Sequence, residues 1–145
     1  HHIRKDFWSF LLERAKQKTK LHINISPGMY SWIGTGAGIS GLNFNYCIGQ
    51  HDAKIELYID KDKDSGIENK RIFDELYKNK EVIEESFGGS LNWERLDIKR
   101  ASRIAKYFEE GGYRDQEKWT EISDQMINAM ISLEKSLAPF LSKIK

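Results

Sequence analysis

Along the chain, the spacing of apolar positions changes period several times, and each change marks an element. Ile3, Phe7, Phe10/Leu11 and Arg14/Ala15 recur at three- and four-residue spacing, with Trp8 and Leu12 widening the stripe. This predicts a first helix over Ile3–Lys18, whose last basic residues suit the negative end of the helix dipole. Ser26-Pro27-Gly28 then breaks the chain. Beyond it the period drops to two. Leu42, Phe44, Tyr46 and Ile48 alternate with Asn43, Asn45 and Cys47, and Ile55, Leu57 and Ile59 alternate with Lys54, Glu56, Tyr58 and Asp60. Two half-buried strands joined by a hairpin at Gly49–Asp52 follow from this, with a shorter strand over Met29–Ile33 before a glycine run. Short connections of this kind require antiparallel pairing.

After Asp64-Ser65-Gly66 the helical period returns. Phe73, Leu76, Lys80, Ile83 and Phe87 predict one helix, ended by Gly88-Gly89. Strands are expected around Leu91–Leu96 and Ala101–Phe108. A last helix follows, capped by Asp115, striped by Trp119, Ile122, Met126, Met130, Leu133 and Leu137, and kinked or ended by Pro139. The order α-β-β-β-α-β-β-α predicts an α+β fold: a mostly antiparallel sheet of about five strands carrying three main helices. No repeat or interdomain linker interrupts it, so residues 1–145 read as one domain.

Composition narrows the class. The chain has 145 residues, 39% hydrophobic and 31% charged, a length that supports one well-buried core. No apolar run is long enough to cross a membrane, which argues against a membrane partner. The lone Cys47 excludes an internal disulfide and fits a reducing, cytoplasmic setting. The opening His1-His2 fits a purification-tag remnant. Charge is unevenly spread along the chain. Residues 1–51 hold six basic and two acidic groups, residues 52–145 hold 17 and 20, and no Asp or Glu occurs from Arg14 to His51.

Several motifs imitate chemistry without completing it. Gly36-Ala37-Gly38-Ile39-Ser40-Gly41 spells G-x-G-x-x-G, yet strand-like residues follow where a dinucleotide site needs a helix N-terminus. A glycine-rich turn between strands is the expectation. Asp60, Asp62 and Asp64 imitate the start of a calcium loop, but Ser65 and Arg71 stand where glycine and glutamate belong. A strand-to-helix turn with a helix cap is expected there instead. The element order resembles the core of PD-(D/E)XK nucleases, which require acids on the second and third strands and a lysine two residues after the third-strand acid. Here the second strand has no acid, and Tyr58 follows Glu56 in the lysine position. His22 and His51 have no helical i,i+4 partner, and there is no second cysteine for zinc. No catalytic residue, metal site or cofactor is expected, although a divergent metal-dependent nuclease using Glu56 and the aspartates stays open as a minor reading.

Two binding readings remain. Lys16, Lys18 and Lys20 lead into the acid-free region containing Trp32, Asn43 and Asn45, and Lys99, Arg100, Arg103 and Lys106 form a second basic run. Lysine and arginine suit phosphates, while amides and aromatic rings suit bases. Lys16, Lys18, Lys20, Asn43, Asn45, Arg100 and Arg103 are therefore the candidate nucleic-acid contacts, with DNA as the candidate partner. The ordinary alternative is a core Trp32 and solubilising lysines. The nearly heptad-spaced last helix, with adaptable Met126 and Met130, is the candidate surface for a protein partner or a second copy; a plain core stripe is its ordinary reading.

The segments FWSFLLERA, KIELYID and LNWERLDIKRASRIAKYFEEG, with a closing helix begun by DQEKW and ended by LAPFLSKIK, together resemble an uncharacterised bacterial and archaeal domain-of-unknown-function family. The resemblance runs over nearly the whole chain, and Trp93-Glu94-Arg95 with Ala101-Ser102-Arg103-Ile104 is its most specific part. It implies a C-terminal position in a longer protein, often behind a restriction-endonuclease-like segment. The implied role is that of a non-catalytic accessory domain in a DNA-processing or defence-type protein; the alternative is an interaction module that docks through the last helix onto its own nuclease-like neighbour or a second copy. It transfers no catalytic residues.

Overall fold

The computed structural model describes residues 2–144. His1 of the opening pair lies outside them. The elements run α1 (Ile3–Ala15), β1 (Trp32–Gly36), β2 (Leu42–Ile48), β3 (Ala53–Ile59), α2 (Ile67–Tyr77), α3 (Lys80–Phe87), β4 (Asn92–Glu94), β5 (Ser102–Phe108) and α4 (Trp119–Leu141). The fold is α+β. Its five strands form one sheet in the order β1-β2-β3-β5-β4, and every neighbouring pair is antiparallel.

The period-2 pattern of β2 and β3 explains why helices cover only one face of this sheet. Leu42, Phe44, Tyr46 and Ile48 are buried on β2, as are Ala53, Ile55, Leu57 and Ile59 on β3. Register aligns them into rows, Phe44 beside Leu57 and Leu57 beside Ile104. Against this apolar face packs α4, through Met126, Ile127, Met130, Leu133 and Leu137. Helices α1 and α3 flank α4, and α2 lies under β3 and β5. Each large side chain sealed in this way contributes roughly 1.5–3 kcal/mol. The fully buried Trp8 also satisfies its indole, Nε1–H donating to the Tyr30 carbonyl at 2.9 Å. Arg14 ties α1 to α4 by a two-pronged contact with Asp124, at 3.0 and 2.8 Å.

Four features depart from the sequence reading. The first strand lies at Trp32–Gly36 rather than Met29–Ile33, because pairing with β2 needs only backbone and runs on through Gly34 and Gly36. Met29 and Tyr30 are left exposed ahead of it. The helix expected to run unbroken to Phe87 is two helices. At the break, Asn79 turns back on α2, its N–H donating to the Leu76 carbonyl and its side-chain amide to that of Glu75. The break lets Ile83 enter the core beside α4. Asp115 begins a short 3₁₀ turn, Gln116–Lys118, and the α-helix starts only at Trp119. Pro139 sits inside the last helical turns, and α4 ends two residues later at Leu141.

Candidate functional site

The face of the sheet opposite the helices carries the other half of each alternating pattern. Register lines up Trp32, Cys47, Lys54 and Tyr107 in one row, and Gly34, Asn45, Glu56, Ala105 and Asn92 in the next. Gly36, Asn43, Tyr58, Arg103 and Glu94 form a third. Part of this face forms a cleft of about 480 Å³ lined by Trp32, Asn43, Asn45, Lys54, Glu56 and Tyr58, with Asp60 and Lys63 at one end.

At the floor of the cleft lies a charged group on a face that no helix covers. Glu56 is only 4% exposed and Asn45 only 6%. The Asn45 amide donates to Glu56 Oε2 at 2.9 Å. Lys54 Nζ and Arg103 Nε each approach Glu56 Oε1 to 3.3 Å. These approaches pair charges, yet Glu56 Oε1, Arg103 Nε and Asn45 Oδ1 complete no hydrogen bond among the described residues. Buried polar atoms left in that state are costly for the fold and mark a place where an added partner gains. Gly34 belongs to the same arrangement. A Cβ there would stand 2.0 Å from Asn45 Oδ1, so a side chain at this position would push the amide from its place beside Glu56.

Around this floor the cations rest against rings. Arg103 lies 5.9 Å over Tyr58 and Lys54 lies 5.7 Å over Tyr107, while the Tyr107 hydroxyl donates to Glu94 at 2.5 Å. Trp32 is 54% exposed at the rim. Burial and the neighbouring Glu56 carboxylate push the Cys47 thiol up to about 12. A thiol so firmly protonated is a weak nucleophile. Glu56 stands between two cations, an arrangement suited to holding a ligand's polar groups.

The remaining sequence-derived candidates occupy other places. Lys18 donates to Asn128 on α4 and Lys16 pairs with Glu13, which puts this run on the helical layer, with Lys20 in the turn that follows. Asn43, Asn45 and Arg103 lie across the sheet from it. Arg100 clamps the end of β3, gripping both oxygens of Asp60 at 2.9 and 2.7 Å. Burial acts to raise the Asp60 pKa, but the Arg100 contacts, with Lys63, outweigh it and hold the carboxyl below its ordinary value. Lys106 points to the Ser90 carbonyl. Met126 and Met130 have no exposed surface, so α4 presents neither to a partner.

The aspartate run is a turn, as its sequence suggests. Asp62 accepts from the N–H of Asp64 and Glu68 and from the Ser65 hydroxyl, which drives its pKa down to about 2. Among the described residues, no group of three or more His, Cys, Asp or Glu side chains is placed to hold a metal ion. No helix among the described residues is long and apolar enough to cross a membrane.

Lys54, Tyr58 and Tyr107 are members of the open face that the sequence reading did not select as binding residues. The available signal was positional: Lys54 and Tyr58 alternate with the core residues Ile55 and Leu57 of their own strand.

A family model described as Domain of unknown function (DUF4268) matches residues 3–141. The chain belongs to this family. The match spans nearly all of the α+β domain, from the first residue of α1 to the last of α4. No curated protein matches the chain, and no solved structure does. For this DUF4268 chain, its own geometry therefore carries the functional reading.

Proposed function

We propose that this chain is a non-catalytic accessory domain of a DNA-processing or defence-type protein, and that it holds single-stranded nucleic acid on the open face of its sheet. One observation carries the reading. A sheet covered by helices on one side presents, on the other, a cleft lined by Trp32, Asn43, Lys54 and Tyr58, with Arg103 and Tyr107 beside it on the same face. Rings supply stacking surface for unpaired bases, amides and the Glu56 carboxylate supply hydrogen-bonding edges, and the cations supply phosphate contacts. A duplex hides its base faces and gains little from such a surface. The resemblance to domains that follow restriction-endonuclease-like segments supports the DNA-processing association.

Glu56, Glu94 and Asp60 already engage most of the cations here, so stacking contributes more to binding than charge does. Fluorescence anisotropy of labelled 12-mer single strands and duplexes, as DNA and as RNA, at two salt concentrations tests the proposal. Single strands should bind with only modest salt sensitivity, and Trp32→Ala should weaken binding about tenfold, since one stacked base is worth ~1–3 kcal/mol. Absence of binding at low salt, or an unaltered affinity in Trp32→Ala, refutes the reading.

A further inference from the structure

β1 ends the sheet, and its outer edge pairs with no strand among the described residues. The Ile48 N–H donates to the Ser31 carbonyl and the Ala37 N–H to that of Leu42, which fixes the phase of the β1–β2 ladder. Ile33 and Thr35 therefore direct their N–H and C=O groups toward β2. Trp32, Gly34 and Gly36 direct theirs away from the sheet. Natural edges of this kind are usually blunted by lysine, proline or a covering segment. This strand contains neither residue, and Leu21–His51 contains no Lys, Arg, Asp or Glu, in a chain that is 31% charged. Beside the edge, Met29, Tyr30 and Trp32 are exposed by 47%, 76% and 54%.

We propose that this edge pairs with the same edge of a second copy of the chain, joining two sheets through an antiparallel β1–β1 seam. The register explains why a second copy fits. A two-fold axis at Gly34 sets Gly34 against Gly34 of the second copy and Trp32 against Gly36 of the second copy. All three residues direct free backbone groups outward, so every facing pair exchanges N–H···O=C bonds. Each indole lies over a glycine that offers no side chain to obstruct it, the packing known to rescue edge glycines. Two identical edges normally repel through like charges, but this sector has none to oppose the approach. The open faces become one continuous surface, with a cleft on either side of the seam. One short strand and two indoles make a small interface, so association is concentration-dependent rather than permanent.

Sedimentation of the ligand-free chain tests this independently of nucleic-acid binding. The mass should rise from 16.9 kDa toward twice that value as concentration increases. Gly36→Pro removes an outward-facing N–H, and a Cβ at this position meets nothing within 4 Å. That variant should sediment as a monomer with unchanged circular dichroism and melting temperature. Gly36→Glu, which places a charge on the seam, should do the same and decides the matter if the proline variant folds poorly. In the wild type, hydrogen exchange of the Gly34 amide should slow as the dimer forms. A wild-type chain that is still monomeric at about 1 mM overturns the proposal. So does a dimer that survives both substitutions, or one in which Gly34 exchange is unaffected.

Discussion

His22 shows how a single side chain acquires a role from its surroundings. It is 3% exposed, tilted against Tyr46 with ring centroids 4.6 Å apart, with Nε2–H donating to the Phe44 carbonyl at 3.0 Å and Nδ1 without a partner among the described residues. Protonation would create a donor at Nδ1 with no acceptor. Burial accordingly holds the pKa below 6.5, against the opposing pull of the Phe44 carbonyl. The unfolded chain then binds more protons than the folded one just below pH 6.5. This part of the stability is intact above pH 6.5, declines as the pH falls from 6.5 toward the folded pKa, and levels off below it. Urea melts from pH 7.5 to 5 should show the decline, and His22→Gln should reduce it. In the sequence, His22 could be recognised only as lacking a metal-binding partner, because its acceptor lies on β2, twenty-two residues away.

At the scale of elements, the β1–β2 connection depends on one glycine more than its motif suggests. Gly41 has φ +87, and a Cβ on it would stand 2.4 Å from Lys61 Cα. Its carbonyl accepts the Asp60 N–H, so this turn also fastens the end of β3. Gly41→Ala combines left-handed strain with overlap against immovable backbone and should cost more than about 2 kcal/mol in a urea melt. Gly89→Ala, with open space around it and no positive φ, should stay within about 0.5 kcal/mol. The glycine-rich stretch was legible as a turn because strand patterns flank it. The α2–α3 break was not, because Phe73, Leu76, Lys80, Ile83 and Phe87 keep helical spacing across it. What separates them is the Asn79 turn and the position of α4, which the spacing does not encode.

Across the whole molecule, linear charge and surface charge differ. The basic run Lys16, Lys18 and Lys20 belongs to the helical layer, whereas Asn43, Asn45 and Arg103 belong to the open face. Reversing those three lysines to glutamate should therefore change single-strand affinity less than about threefold. Lys63→Glu, at the end of the cleft, should weaken binding further and lower the salt slope by about 1. Both effects are read from anisotropy titrations at several salt concentrations. Equal losses from the two sets would mean that the ligand spans both layers.

The sequence alone determined the class of fold, the antiparallel pairing and most of the core, because these follow from local periods and short connections. It also placed Asn43, Asn45 and Arg103 among the candidates from their residue types. Only the tertiary structure decided that these residues share one uncovered face, that Glu56 sits between Lys54 and Arg103, and that β1 keeps a free, uncharged edge. Those properties arise from which strands become neighbours. A strand's own alternation shows that it has two faces, but the side the helices occupy is set by long-range packing.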